Sequence, residues 1–263
     1  MIYQGVITKM HSVPTAPVTY YLDFGGAVIH VNECAGKTIQ MEFIRYQCLS
    51  CGADKKLFRG GYCYDCFHSL PQAADWVIHP ELSRAHLGIE DRDLEYEREA
   101  QLQPHYVYLA NTGKPKVGVT RHSQIPTRWI DQGAHEALII LETPNRYLAG
   151  IAEKALKEHI SDKTNRNLML TTRGTPGGLP GLKKQLLPYL PAEVKDYVTG
   201  DQTPYTITYP LPDPPSKIKA LKIDEAGTFE GKLAGIKGQY WIFYHGTVWN
   251  VRSHEGFVLR IKC

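Results

Sequence analysis

"HYVYLANTGKPKVGVTRHSQIPTRWIDQGA", residues 105–134, decides how the rest of the chain is read. Within it "YVYLA" (106–110) and "KVGVT" (116–120) alternate as the two strands of a hairpin do, and the Asn-Thr-Gly-Lys-Pro between them is turn chemistry. Pro126 stands where a first-turn proline belongs and Gly133 where a helix ends, so residues 126–132 are expected to form one short helix. That helix carries a single arginine, Arg128, just beyond the second strand. A hairpin that only props up a core gains little from such a charge. A surface that grips phosphate gains a planar fork that can contact two oxygens at once.

Working outward, "LIILET" (138–143) reads as a buried strand and "NRYLAGIAEKALKEH" (145–159) as an amphipathic helix. Asn145 is its expected N-cap, and Tyr147, Leu148, Ile151, Ala152, Ala155 and Leu156 form its apolar stripe. Arg146, Gly150, Glu153 and Lys157 lie beside that stripe at spacings of three to four. Downstream, "TTRGTPGGLPGLKKQLLPYLP" is read as a glycine- and proline-marked loop, a flexible backbone clamp at most, because it lacks the Gly-Lys-Ser/Thr ending of a P-loop. A short helix is expected at 192–198, and "YPLPDPPSK" is a proline-rich connector.

Upstream, "CLSC" (Cys48, Cys51) and "CYDC" (Cys63, Cys66) are two Cys-x-x-Cys knuckles separated by eleven residues. Two such knuckles supply the four thiolates of a tetrahedral zinc cage, a site with no open position and therefore structural. Gly52 and Gly60-Gly61 suit the tight turns of a ribbon. The other two of the six cysteines, Cys34 and Cys263, fall outside this pattern and are expected as small buried hydrophobes. Residues 68–103 are polar and acid-rich and read as loop with one or two short helices; "RAHLGIEDRDLEYERE" reads as a solvated face, and the histidines at 68, 79, 86, 105, 122 and 135 are scattered.

The chain has 263 residues, 43% of them hydrophobic, and a net charge of +3. That composition allows a packed core and permits a nucleic-acid partner without demanding one. No apolar run approaches the roughly 20 residues that span a bilayer, so no membrane partner is expected. "MIYQGVITKM" reads as a strand and not as a signal peptide, which places the protein in the cytoplasm with reduced thiols. The two ends resemble each other: "FGGAVIHVNECAGKTIQMEF" (24–43) lies over "YHGTVWNVRSHEGFVLRIKC" (244–263) without a gap, with Gly26 over Gly246 and Gly36 over Gly256. Five stretches follow: an N-terminal β-meander (1–47), a zinc-knuckle region and acidic linker (48–103), a core (104–170), a loop, short helix and linker (171–220), and a C-terminal β-meander (221–263).

Hairpin, arginine helix, strand and glutamate helix, in that order, resemble the GIY-YIG endonuclease core. "YVYLA" stands for the first motif with Tyr108 as its tyrosine, "KVG" for the second with Gly118 as its glycine, and Arg128 and Glu153 fall at the motif arginine and glutamate. "PTRWIDQGA", "NRYLAG" and "DKTN" also resemble an uncharacterised bacterial family, a domain of unknown function, that carries this core behind a cysteine-knuckle region. The resemblance implies an α+β fold: a GIY-YIG-like core, an antiparallel sheet with flanking helices, inserted between β-meanders beside a zinc ribbon. It also implies that Glu153 holds a divalent cation (Mg²⁺ or Mn²⁺), that a tyrosine helps to activate water, and that the arginine holds phosphate. Tyr106 replaces the first motif's glycine, Lys116 the second motif's tyrosine, and Gln132 a frequent histidine, so the catalytic set is altered.

The expected site is thus Tyr108, Lys116, Arg128 and Glu153 on one concave basic surface, with Arg121, Arg128 and Arg146 contacting DNA or RNA. Each has an ordinary alternative. Tyr108 can be a core aromatic, Arg128 can stack on Trp129, and Glu153 can pair with Lys157 one helical turn on. The functional expectation is a nucleic-acid-binding protein, with metal-dependent phosphodiester cleavage as one outcome. A non-catalytic zinc-containing binding or scaffold module is the other.

Overall fold

The structure, a computed structural model, describes residues 1–174 and 177–263. Positions 175 and 176 of the glycine-rich stretch lie outside the described residues. Contacts divide the chain into two compact units. Unit one comprises Met1–His68, Leu170–Thr172 and Ile207–Cys263; unit two comprises Ser69–Met169 and Arg173–Thr206. The fold is mixed α+β, with several separate sheets.

In unit one the N-terminal strands are β1 (Ile2–Val6), β2 (His11–Val13), β3 (Thr19–Asp23), β4 (Val28–His30) and β5 (Thr38–Tyr46). The cysteine region adds β6 (Leu57–Arg59), β7 (Tyr62–Cys63) and the helix α1 (Tyr64–Ser69). Unit two holds β8 (His105–Asn111), β9 (Pro115–Arg121), β10 (Glu136–Thr143) and β11 (Tyr205–Thr206), after which unit one resumes with β12 (Lys219–Ala220), β13 (Thr228–Lys237), β14 (Tyr240–Phe243), β15 (Thr247–Asn250) and β16 (Phe257–Lys262). Seven of these make one sheet in the order β1-β16-β5-β13-β14-β15-β12, while β2-β3-β4 form a small sheet of their own.

Exchanging N-terminal for C-terminal strands, β1 for β13 and β5 for β16, leaves the order β1-β16-β5-β13 unchanged. The aligned stretches also carry the same local structure. Each has a strand, a 3₁₀ turn (Val31–Cys34 and Val251–His254), and a second strand after a left-handed glycine, Gly36 at φ 81° and Gly256 at φ 83°. Gly26 and Gly246 differ more, at 146° and 77°. Alternation buries Ile39 and Met41 of β5 and Leu259 and Ile261 of β16, and Trp241 meets Trp249 edge-on across the β14–β15 pair. Cys34 is buried, as expected; Cys263 is only half-buried.

The sheet of unit two runs β11-β10-β8-β9, all antiparallel. Every residue of β8 is buried, because both faces of the sheet are covered. One face packs Val107, Leu109, Leu138 and Ile140 against α4 (Arg146–Leu156) and a later helix, Leu179–Leu186. That later helix corrects the expectation of a loop: Pro180 sits in its first turn, where a proline is tolerated, and the apolar Leu179 and Leu186 bind it to the sheet. On the other side Trp129, from the short helix α3 (Thr127–Asp131), meets Tyr108 at 5.9 Å. The expected helix at 192–198 is a 3₁₀ turn, Ala192–Tyr197.

Two further expectations are revised here. The acidic stretch before β8 is mostly exposed, as expected, but it is more ordered than a solvated linker. It folds into 3₁₀ turns and the helix α2 (Leu94–Gln101), whose Glu97 is 1% exposed and accepts the backbone N–H groups of Asp91, Arg92 and Asp93. In α4 the buried set is Ala149, Gly150, Ala152, Glu153 and Leu156, rotated from the expected stripe. The rotation follows from a second neighbour: the turn at Pro80–Leu82 lies directly on Gly150.

Candidate anion-binding cavity and cysteine cluster

The four knuckle cysteines meet. Their sulfur atoms all lie within 4.8 Å of one another, an arrangement able to hold a metal ion such as zinc. Cys48 and Cys63 are buried, and the Cys63 N–H donates to Cys48 Sγ at 3.3 Å. Burial raises the Cys48 thiol, but N–H donors from Cys63, Cys51 and Ser50 outweigh it and hold the group well below the ordinary thiol range. Such donors favour a thiolate, the form that binds metal.

In unit two, Tyr108, Lys116, Arg128, Arg146 and Glu153 line one cavity of about 190 Å³. Arg121, expected on the same surface, is not among its lining residues. The placement follows from the elements. β9 is an edge strand, and residues of both its faces border the cavity, Lys116 and Gly118 as well as Val117 and Val119. The short α3 returns Arg128 to the same place, and α4 with its C-cap presents Arg146, Glu153 and Lys157 on one side, two turns and then one turn apart. Asn145 caps α4 as expected, its side chain accepting the Leu148 N–H at 3.0 Å.

Tyr108 has no exposed surface. Its hydroxyl accepts from Gln132 Nε2 at 2.8 Å and is close enough to Arg128 to feel its charge, so in this arrangement it is held inside the fold and does not meet solvent. Burial raises its pKa, against the pull of Arg128 and Gln132. Gly118 stands opposite Tyr108 in the hairpin and leaves room for the ring. Lys116, 7% exposed, donates to the Asp162 carbonyl oxygen at 3.0 Å. Burial, with Arg128 close by, depresses its pKa to about 8.

Glu153 is paired. Lys157 Nζ lies 3.3 Å from Glu153 Oε2 and 3.3 Å from Asp162 Oδ2, so a single ammonium bridges the two carboxylates. A Glu153 pointing into the cleft without a partner, as metal binding would need, is therefore not what the structure has. Burial raises the Glu153 pKa, and Lys157 opposes the rise. Arg146 donates to the carbonyls of Trp76 (3.2 Å) and Val77 (2.7 Å) and lies 5.5 Å from the Trp76 ring centre. It pins the segment around residues 76–80 over the cavity. Among the described lining residues, Lys116, Arg128, Arg146 and Lys157 face two carboxylates, Glu153 and Asp162, an excess of two positive charges when all are ionised.

A family model described as "Protein of unknown function (DUF2797)" matches residues 36–259. The chain belongs to this family. No curated protein and no solved structure matches it. The DUF2797 match covers both the cysteine cluster and the cavity.

The contacts of this site that the sequence left unread are tertiary. Asp162 follows α4 by a few residues and joins the site only because the chain turns back to β9, where the Val117 N–H donates to the Ser161 carbonyl. The carbonyls of Trp76 and Val77 come from the stretch read as polar linker; Trp76, 5% exposed within it, was the available signal of a packed segment. Among the described residues no helix is long and apolar enough to cross a membrane.

Proposed function

We propose that this cavity holds a phosphate of a nucleic-acid strand, and that the chain is a nucleic-acid-binding protein built on a GIY-YIG-like core. The observation that carries the proposal is the convergence of four cations on one small cavity with two carboxylates to balance them. A phosphodiester supplies the missing negative charge and accepts from Arg128 through two oxygens. Lys116, whose ammonium burial disfavours, gains a counter-charge when the phosphate enters. In the same reading the cysteine cluster is a closed, structural four-thiolate zinc site, and the protein works in the cytoplasm, where thiolates stay reduced.

A second reading, cleavage with Mg²⁺ or Mn²⁺, is favoured by one feature: two carboxylates, Glu153 and Asp162, already converge on a single cation. That cation is Lys157. A divalent ion can take its place only if the ammonium swings away, so the arrangement favours binding over turnover. Incubation with labelled DNA and RNA in Mg²⁺ or Mn²⁺, beside Glu153→Ala, separates the outcomes. Binding without cleavage is the expected result. Cleavage by the wild type, abolished in Glu153→Ala, establishes the second reading; absence of binding overturns both.

A further inference from the structure

The cysteine ribbon carries a cluster of rings that unit one does not bury. Phe58 is 54% exposed and Tyr64 61% exposed, and their ring centres lie 5.3 Å apart. His68 lies 4.2 Å from Tyr64 and Phe67 lies 5.1 Å from Phe58, so the four rings form one contiguous cluster, Phe58 meeting Tyr64 and Phe67 edge to face. The ribbon's turn and α1 hold it rigidly: His68 Nδ1 is 2.9 Å from the Tyr64 carbonyl oxygen, and the helix begins directly after Cys63. Scattered exposed apolar residues need no explanation, but a ring cluster fixed beside a metal-type site marks a binding surface.

Charge decides what it binds. Lys55, Lys56 and Arg59 are all exposed on the same ribbon, against Asp54 and Asp65. Asp65 is paired with Lys55 at 3.2 Å, but both side chains are more than half exposed, so this pair is weak and readily exchanged for a phosphate. Exposed rings with cations on neighbouring residues of the same ribbon suit an unpaired nucleotide, its base and its phosphate. A duplex keeps its base faces stacked and offers the rings nothing.

We infer that the ring platform of Phe58 and Tyr64 binds unpaired bases of single-stranded nucleic acid, with Lys55, Lys56 and Arg59 on the adjoining phosphates. The inference rests on the nucleic-acid reading of the chain for the class of ligand, but its residues belong to the other unit from the cavity. The test uses the full zinc-loaded chain and fluorescence anisotropy with a labelled oligothymidylate and a labelled duplex of equal length.

Phe58→Ser with Tyr64→Ser should weaken single-strand binding by about tenfold or more, leave duplex binding within about twofold, and retain zinc. Tyr64→Trp, which keeps a stacking face, should restore binding in the presence of wild-type Phe58. Loss of zinc in the double serine variant would mean a damaged ribbon; the single variants, each expected to lose part of the affinity with zinc intact, then decide. If the patch variants bind the single strand as the wild type does while Arg128→Ala does not, the platform inference fails and the cavity reading stands. The reverse pattern supports the platform and removes the cavity. Equal binding of all variants overturns both and leaves a protein partner as the occupant of the rings.

Discussion

At Gly118 a Cβ would lie 2.7 Å from the Tyr108 hydroxyl and 2.8 Å from its ring Cζ. Both strands are buried there, so the ring has no room to move away. Gly118→Ala should therefore destabilise the protein by about 1–3 kcal/mol in urea unfolding and also displace the hydroxyl that Gln132 holds beside Arg128. Lys116 makes a pH prediction. Its pKa near 8 in the ligand-free protein means that an anion meets a charged ammonium below that pH and increasingly a neutral amine above it. Anion binding raises the lysine pKa, so phosphate or oligonucleotide affinity should be greatest below about pH 8 and fall as pH rises through it. Lys116→Met should bind more weakly and lack that step. Arg128 and Gly118 were legible in the sequence because the hairpin and its turn chemistry are local. The bridging of Lys157 to Asp162 was not, since it depends on how the chain leaves α4. The Glu153–Lys157 pair was one of the two readings the helix spacing allowed, and geometry chose the one less favourable to metal binding.

Among the elements, α4 shows how a neighbour reverses an intrinsic preference. Alanine normally stabilises a helix relative to glycine by roughly 0.5–1 kcal/mol. At Gly150, however, a Cβ would run into the backbone of Pro80 and Glu81, which cannot yield as a side chain can. Gly150→Ala is thus expected to cost about 1–3 kcal/mol and to lift the 76–80 segment from the cavity. Gly181, in the helix Leu179–Leu186, has open space around its Cβ, and Gly181→Ala should gain up to about 1 kcal/mol. Thermal unfolding of the two variants side by side reads both signs. The hairpin, the strand read at 138–143 and α4 were readable from periodicity and capping. The segment 69–103 was not, because its order comes from three backbone N–H groups converging on buried Glu97 and from Trp76 packing with Ala74 and Ala100. Neither feature has a period.

For the whole molecule, two units with separate cores imply separate responses to metal loss. A zinc held by the four cysteines, as proposed, contributes directly to folding, so chelation should expose residues 48–68 to hydrogen exchange and lower the melting temperature of unit one. Amide protection in β8 and β10, whose core contains no cysteine, should persist. Loss of protection throughout would show that the units unfold together. The likeness of the chain ends was visible as an ungapped pattern, and its matching 3₁₀ turns and glycine conformations lie where that pattern put them. The interleaved strand order was not visible, because pairing partners leave no mark on a single strand.

The central claim, that the cavity of unit two grips a phosphodiester, is tested most directly by the salt dependence of duplex DNA binding in wild type and Arg128→Ala. Each phosphate contact contributes about 0.9 to the slope of log K against log salt. The account predicts weaker binding for Arg128→Ala and a slope smaller in magnitude by about one contact, with the fold unchanged by circular dichroism. Equal affinity and an equal slope in the two proteins would contradict it.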